Sequence, residues 1–180
     1  GVRFERAGFE ITLKPEISFS QNRAFALMPS AYQSDLYKDE AKIYGYYGLR
    51  NLDAPQRFGD KAFVDFGLGD SEIRYSYKSF TVGLSNQYIW MGPAKLNPIL
   101  HSNHAPSYLH FDIDVRPVTI KIGKVDFGKL EARMLVGQLK ESNYFDTIPD
   151  NNSRLFTNLS LAYAPSFLKG FTAFVNRNFL

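Results

Sequence analysis

The chain has 180 residues, a formal net charge of +3 at pH 7, 44% hydrophobic residues and 16% aromatic residues. It contains no cysteine, which excludes disulfide bridges, thiolate metal sites and cysteine nucleophiles. Lysine and arginine are scattered rather than clustered, which argues against nucleic-acid binding, and no apolar run reaches the roughly 18 residues of a transmembrane helix. The length fits a single domain over residues 1–180.

Residues 9–20 form the first clearly periodic segment. Apolar side chains alternate there with mostly polar ones, at Phe9, Ile11, Leu13, Ile17 and Phe19. Alternation with a period of two predicts a β-strand with one apolar face. Pro15 cannot donate a hydrogen bond to a neighbouring strand, so we expect an edge, a bulge or a local break at this position.

Residues 23–60 do not follow this alternation and form an insert. Ser34 or Asp35 is suited to cap a short helix that runs through Tyr44. The insert is therefore predicted to be helical or irregular. Two interpretations stay open, a helix that packs against the sheet and a plug that presents its tyrosines to the lumen of a barrel.

Residues 62–68 predict a short strand, and residues 71–86 predict a hairpin. The apolar positions change parity at Lys78-Ser79, which indicates a two-residue turn. Side chains that face one another across such a hairpin pack together. The predicted pairs are Tyr77 with Phe80, Tyr75 with Val82 and Ile73 with Leu84.

The second half of the chain continues the alternation. The segments are residues 109–122, with an interruption at Pro117, then 130–136, 155–164 and 171–180, and a polar loop covers 140–154. Roughly eight strands, mostly joined by hairpins, predict an all-β antiparallel meander. A soluble β-sandwich and a transmembrane β-barrel both fit this pattern. Runs of about ten residues, aromatic residues near strand ends, and tight turns alternating with long loops favour the barrel.

The candidate functional segment is residues 87–107, a long irregular connection between strands. It holds the only tryptophan, Trp90, and such loops are typical sites of function. Aromatic rings stack on sugars, and polar side chains bind sugar hydroxyls; the segment supplies both in Tyr88, Trp90, Asn97, His101, Asn103 and His104. Equally, the two aromatic residues fit anchors of the loop or members of an interfacial belt.

Catalytic and metal-binding signatures give no positive prediction. No nucleophile, phosphate-loop or zinc-protease motif is present, and no motif points to a cofactor. Carboxylates are plentiful, so counting them leaves a glycosidase pair open, but the sequence singles out no two of them. The spacing of His101, His104, His110, Asp112 and Asp114 is compatible with metal ligation. The last three residues also form the polar face of a predicted strand, which is the simpler interpretation.

Several motifs in the first two thirds of the chain occur in a recognisable order. They are Trp90-Met91-Gly92-Pro93, Ser102-Asn103-His104-Ala105-Pro106, and segments 13–16, 21–25, 53–59 and 73–77. In this order they resemble the capsule assembly protein Wzi family of outer-membrane β-barrels. Met91 departs from the family pattern, where a second aromatic residue is common, and this weakens the prediction of sugar stacking.

The resemblance implies a non-enzymatic barrel in the cell outer membrane that holds or organises capsular or other surface polysaccharide. Family chains are considerably longer, so we expect part of a larger barrel, with the short helical insert within residues 23–60. The implied partners are surface polysaccharide, outer-membrane lipid, and other outer-membrane or periplasmic proteins. The predicted glycan ligands are Trp90, Tyr88, Asn97, His101, Asn103, His104 and Arg57. A porin-like channel and a soluble β-sandwich that binds glycans stay open as alternatives.

Overall fold

The computed structural model describes residues 1–26, 53, 55–92, 94–98, 101–103, 106–144 and 149–179. Over these residues the chain is all-β, with ten strands and a single 3-10 turn at Pro149–Asn151. In the same part of the chain, no helix is long and apolar enough to cross a membrane. The strands are β1 (Val2–Arg6), β2 (Phe9–Leu13), β3 (Glu16–Ser20), β4 (Phe63–Gly67), β5 (Glu72–Tyr77), β6 (Phe80–Ser85), β7 (His110–Ile122), β8 (Val125–Lys140), β9 (Ser153–Pro165) and β10 (Ala173–Phe179).

Eight of the strands form one sheet, in the order β1-β2-β5-β6-β7-β8-β9-β10. Strands β1, β2, β5, β6, β7 and β8 pair antiparallel in that order, as do β9 and β10. Strands β1 and β10 lie at opposite edges, so the described sheet is open and does not close into a barrel. The predicted all-β antiparallel class is confirmed.

The hairpin of β5 and β6 has the predicted register. Tyr77 lies opposite Phe80, and the two further predicted pairs are also present. The turn places Lys78 at a φ of 52°, which is uncommon for a residue other than glycine. Alternation therefore predicted this register correctly, because a shift of one residue would have turned the apolar side chains to the other face.

The two prolines act differently from one another. At Pro15 the chain leaves the large sheet, and β3 pairs instead with β4 in a separate two-stranded sheet. Of the three alternatives for Pro15, the local break is the one observed, while the expectation of one strand over residues 9–20 is wrong. At Pro117, by contrast, β7 continues through a register shift between Val115 and Val118. A β-bulge of this kind accommodates a residue without an N–H.

The chain divides into two compact units. The larger unit holds residues 1–16, 67–138 and 155–180, and the smaller unit holds residues 17–66 and 139–154. In the smaller unit, Asn22 Nδ2 donates to the carbonyl oxygens of Phe58 and Gly59 at 2.8 and 2.7 Å. The predicted helix through Tyr44 lies outside the described residues.

The two faces of the large sheet have inverted polarity. Exposed side chains on β5, β6 and β7 include Ile73, Leu84 and Ile113, with Leu84 at 47% exposure. Buried side chains on the opposite face include His110, Asp112 and Asn158, with Asp112 at 0%. A half-solvated antiparallel sheet in a water-soluble protein shows the reverse arrangement, with its apolar side chains packed on the core.

Candidate functional site

A network of charged side chains lies on the polar face of strands β5 to β8. Alternate residues of a strand share a face, so Glu72 and Arg74 of β5 lie on the same side as Asp112 and Asp114 of β7. The register then sets Asp114 directly opposite Arg133 of β8. Strand pairing thus brings together side chains that are up to 61 positions apart in the sequence (from 72 to 133).

The network is built around Asp112, whose Oδ2 accepts hydrogen bonds from both Arg74 and Arg133. Arg74 also contacts Asp114 Oδ2 at 3.1 Å and Glu72 Oε2 at 2.9 Å. Arg133 Nε lies 3.1 Å from Asp114 Oδ1. Both guanidinium groups are therefore already engaged by carboxylates of the same sheet.

Gly83 of β6 makes this network possible. It lies between Arg74 and Asp112 in the register of the three strands. A Cβ atom at Gly83 would lie 2.6 Å from Asp112 Oδ1 and 3.1 Å from Arg74 Cγ. The absence of a side chain thus leaves the space in which the two residues meet across β6.

A cavity of about 360 Å³ lies beside the network on the same face. Three carboxylates and two guanidinium groups line it, together with residues at the start of the 87–107 segment. The lining residues are Glu10, Glu72, Arg74, Ser85, Gln87, Tyr88, Ile89, His110, Asp114 and Arg133. This volume is within the range of about 300–1,000 Å³ that is typical of small-molecule sites.

The segment of residues 87–107 presents two aromatic rings to solvent. Ile89 and Met91 are buried, at 6% and 8% exposure, while Tyr88 and Trp90 are each 44% exposed. The side chains therefore alternate, with the aliphatic pair anchoring the segment and the aromatic pair facing outward. Trp90 Nε1 donates to the carbonyl oxygen of Ala94 at 2.8 Å, which fixes the indole against its own turn.

An amide network on β9 and β10 holds Met91. Asn158 is fully buried and donates from Nδ2 to Asn176 Oδ1 at 2.6 Å. Asn176 Nδ2 in turn lies 2.7 Å from Ser160 Oγ and 3.1 Å from Met91 Sδ. The network pairs the amides of Asn158 and Asn176, and it contacts Met91, which holds the segment against β9 and β10.

His101 and Tyr108 form a second anchor of the same segment. Tyr108 Oη and His101 Nε2 are 2.9 Å apart, and the His101 ring packs edge-on against Phe156 with centroids 5.0 Å apart. Burial lowers the pKa of His101 below its ordinary value of 6.5, with further lowering by His110 and Arg133. Burial also raises the pKa of Tyr108 to about 12. Both groups are consequently uncharged at pH 7.

The predicted glycan ligands differ in exposure and do not all lie in the same part of the structure. Tyr88, Trp90, Asn97 and Asn103 are exposed on the segment, whereas His101 is half-buried and engaged by Tyr108. Arg57 belongs to the smaller unit, where it bonds to Asp60 Oδ1 at 2.9 Å and to Asn22 O at 2.8 Å. His104 lies outside the described residues.

Among the described residues, no three His, Asp or Glu side chains are placed to hold a metal ion. His110 Nδ1 is bonded to the carbonyl oxygen of Tyr108 at 2.9 Å, and Asp112 is engaged by two arginines. The charged network was not predicted from the sequence. Its residues do alternate with apolar ones along each strand, which could have indicated a shared polar face. The pairing of β6 with β7 across the 87–107 segment, however, cannot be read from that alternation.

Comparisons with known proteins give no match. No protein-family model matches the chain, and no curated protein or solved structure shows a significant similarity to it. The residues and geometry described above therefore carry the functional conclusion.

Proposed function

We propose that the chain is part of an outer-membrane β-barrel that holds or organises capsular or other surface polysaccharide without catalysing a reaction. The inverted polarity of the large sheet is the observation that carries this proposal. Burying a large apolar side chain is worth about 1.5–3 kcal/mol, so a face of exposed Ile73, Leu84 and Ile113 is unfavourable in water. The same face is favourable against lipid hydrocarbon, with the polar face turned to the lumen.

Strand length and aromatic placement support a membrane location. Strands β7, β8 and β9 have 13, 16 and 13 residues, which exceeds the roughly 9–11 residues that a tilted strand needs to cross a bilayer. Phe9 begins β2, Phe179 ends β10, and both are exposed. Aromatic side chains at strand ends are typical of the girdles at membrane–water interfaces.

The polysaccharide role is supported by the geometry of the 87–107 segment. Tyr88 and Trp90 are each 44% exposed, and the buried Ile89 and Met91 hold the backbone that carries them. Preorganised aromatic rings bind at little entropic cost because they lose few rotamers on contact. The adjacent polar cavity supplies hydrogen-bonding groups for hydroxyls. The ordered motifs that resemble the Wzi family point to the same role.

Membrane assembly is tested by electrophoretic mobility before and after boiling. A folded barrel in detergent migrates differently from its unfolded form, so we expect heat-modifiable mobility and solubility that depends on detergent. A monodisperse monomer in detergent-free buffer would contradict the proposal and would favour the soluble β-sandwich.

Polysaccharide retention is tested with Trp90→Ala in cells that display surface polysaccharide. We expect less retained polysaccharide and unchanged heat-modifiable mobility, because Trp90 is exposed and contributes little to the buried interior. Leu96→Ala is the matched control, since Leu96 is an exposed apolar residue of the same segment. Loss of membrane assembly by Trp90→Ala would show that the indole has a structural role.

A porin-like channel is the second candidate, and the charged network on the polar face favours it. Rings of charged side chains lining a lumen set ion selectivity in barrel channels. Arg133 is 31% exposed in its side chain and is the most accessible guanidinium of the network. Conductance in planar bilayers, with a selectivity that shifts in Arg133→Gln, would favour a channel; absence of conductance would exclude it.

A further inference from the structure

We infer that the turns at one end of the large sheet form a surface that binds the headgroups of anionic phospholipids. The inference rests on the proposed function, because the apolar face of the sheet must lie in a bilayer for its rim to reach lipid headgroups. It is carried by the position of the turns, by their charge and by the apolar side chains beside each cation.

Four turns lie at the same end of the large sheet. With one flanking strand residue on each side, they are residues 6–9, 77–80, 122–125 and 165–173, which join β1 to β2, β5 to β6, β7 to β8 and β9 to β10. Backbone hydrogen bonds link them to the neighbouring strands at 2.8, 2.8 and 3.4 Å, from Ser76 N to Gly8 O, from Arg116 N to Ser79 O and from Ser166 N to Phe127 O. The 87–107 segment leaves the sheet at the opposite end, because it connects the other ends of β6 and β7.

Each of the four turns carries one basic residue and no acidic residue. The basic residues are all exposed, and they are Arg6, Lys78, Lys124 and Lys169. None of them forms a salt bridge with a residue that the structure describes. Two nearby carboxylates are engaged elsewhere, since Glu5 accepts from Arg3 and Asp126 Oδ1 accepts from Gly128 N at 2.8 Å. The turns therefore present four positive charges that the sheet does not neutralise.

Large apolar side chains are exposed beside every one of these cations. They are Phe9, Tyr77, Phe80, Ile122, Val125, Phe167 and Phe171. Arg6 pairs directly with Phe9 across β1 and β2, so the two side chains share the apolar face. Lys78 Nζ lies 5.3 Å from the centre of the Tyr77 ring. Side chains placed in this way keep their aliphatic part against hydrocarbon while the charge reaches the headgroup layer.

The charge of this rim selects anionic lipid, and the shortness of the turns selects phospholipid. Lysine and arginine beside a bilayer are attracted to anionic headgroups, and aromatic side chains fit the same interface. Short turns of bacterial outer-membrane barrels lie on the periplasmic side. The membrane surface there consists of phospholipid rather than lipopolysaccharide. The 87–107 segment, at the other end of the sheet, then faces the cell exterior, where surface polysaccharide lies.

The test measures which lipids the folded chain retains in detergent. The full chain is equilibrated with mixed micelles that contain equal amounts of phosphatidylglycerol, phosphatidylcholine and diphosphoryl lipid A. It is then washed in lipid-free detergent, and the retained lipids are quantified by mass spectrometry. We expect at least about fivefold more phosphatidylglycerol than phosphatidylcholine of the same acyl chains. Equal retention of these two lipids, or more lipid A than phosphatidylglycerol, would overturn the inference.

Two variants with the same loss of charge assign the preference to the turns. The turn variant should bring the ratio of the two phospholipids to about one, and it combines Arg6→Gln, Lys78→Gln, Lys124→Gln and Lys169→Gln. The control variant should keep the wild-type ratio, and it changes exposed basic residues outside the turns by combining Lys61→Gln, Lys95→Gln, Lys140→Gln and Arg154→Gln. An unchanged ratio in the turn variant, or an equal loss in the control variant, would overturn the inference.

Salt provides a second measurement that needs no variant. Attraction between exposed charges is screened by salt, so washing the wild type in about 1 M NaCl should reduce the preference for phosphatidylglycerol severalfold. A preference that does not respond to salt would overturn the inference, because it would not arise from the four exposed cations.

The outcomes separate this inference from the proposed function. A chain that shows heat-modifiable mobility but retains the two phospholipids equally overturns the lipid-binding surface and leaves a polysaccharide-associated barrel intact. Failure of the proposed function is recognised independently, by the lack of heat-modifiable mobility or of polysaccharide retention in cells.

Discussion

At the scale of single residues, the fully buried carboxylate of Asp112 is the most constrained group described. It is fully buried and bonds to two guanidinium groups, Arg74 and Arg133, in an arrangement that spans the four strands β5 to β8. A buried ion pair of this kind contributes little relative to an apolar replacement of the whole network. Removing Asp112 alone is different, because Arg74 and Arg133 each lose a hydrogen bond to a carboxylate and keep only Glu72 and Asp114 as partners.

Asp112→Ala should therefore destabilise the folded state by about 1.5–3 kcal/mol, the usual contribution of a hydrogen bond to a charged group. The measurement is the free energy of unfolding by urea in detergent or lipid vesicles. Glu131→Gln is the matched control on β8, where an exposed carboxylate should change stability by less than about 0.5 kcal/mol. If Asp112→Ala were as stable as the wild type, the network would not be intact in solution.

His101 gives stability a pH dependence with a definite sign. Its pKa is lowered in the folded state, chiefly by burial, so the folded protein binds fewer protons than the unfolded chain near pH 6. Its contribution is fully present above the ordinary pKa of 6.5 and is lost as the pH falls below that value. Below the lowered folded pKa the loss is complete.

The contribution of His101 is measured as unfolding free energy between pH 5 and 8 for the wild type and for His101→Gln. The wild type should lose more stability than the variant as the pH falls through about 6.5, since only the wild type must protonate this buried imidazole. Subtracting the two curves removes the contribution of His110, which is present in both proteins. Parallel curves would contradict the prediction.

At the scale of elements, β6 has one face of exposed apolar side chains and one face of small buried residues. Phe80, Val82 and Leu84 are exposed, while Thr81, Gly83 and Ser85 are buried. The buried set is small, which lets Arg74 and Asp112 approach each other over the strand. The exposed set is large and apolar, which the proposed function explains by contact with lipid.

Leu84→Lys tests that explanation directly. In a bilayer a lysine on the lipid face costs about 2–4 kcal/mol near the midplane, so membrane assembly should fail or slow markedly. In water the same exposed position should accept lysine within about 0.5 kcal/mol. Thr119→Lys, on the opposite face of β7, is the control and should assemble normally. Equal assembly of both variants would argue against a lipid-facing sheet.

The 87–107 segment is the second informative element. Its connection between β6 and β7 folds onto the polar face of the sheet through two anchors, Met91 on Asn176 and His101 on Phe156. Gly137 allows the second anchor, because a Cβ there would lie 2.4 Å from the Tyr108 ring. The segment therefore has a defined shape in its described parts and holds Tyr88 and Trp90 in place.

At the scale of the whole molecule, the apolar face of the large sheet predicts stable membrane association. Apolar side chains of the smaller unit, including Ile17, Phe19, Val64 and Phe66, are exposed as well. Hydrophobic insertion is insensitive to charge screening, whereas peripheral binding through a net charge of +3 is not. The two modes of association thus respond differently to salt and alkali.

The chain produced in bacteria should float with the membrane fraction after washing in high salt and in alkaline carbonate. A membrane-bound peripheral protein of the same strain, released by the alkaline wash, provides the control. Release of the chain by either treatment would contradict insertion of the sheet into the bilayer.

The sequence by itself determined which side chains share a face, where the β5–β6 hairpin turns, and that Pro15 interrupts the regular pairing of its strand. Each follows from local rules, because strand alternation has a period of two and proline lacks an N–H. The short strand β1 was missed, since it is mostly stabilised by pairing with β2. The helix expected through Tyr44 and the ligand His104 stay predictions.

Only the tertiary structure decided which face of the sheet is buried. Alternation is the same in a sandwich and in an inverted sheet, and the difference depends on what covers the apolar side chains. The cavity and the ion network also needed the structure, because the separation of Arg74, Asp112 and Arg133 is set by strand register. An irregular segment of about 20 residues separates β6 from β7, so local periodicity does not specify how these two strands pair.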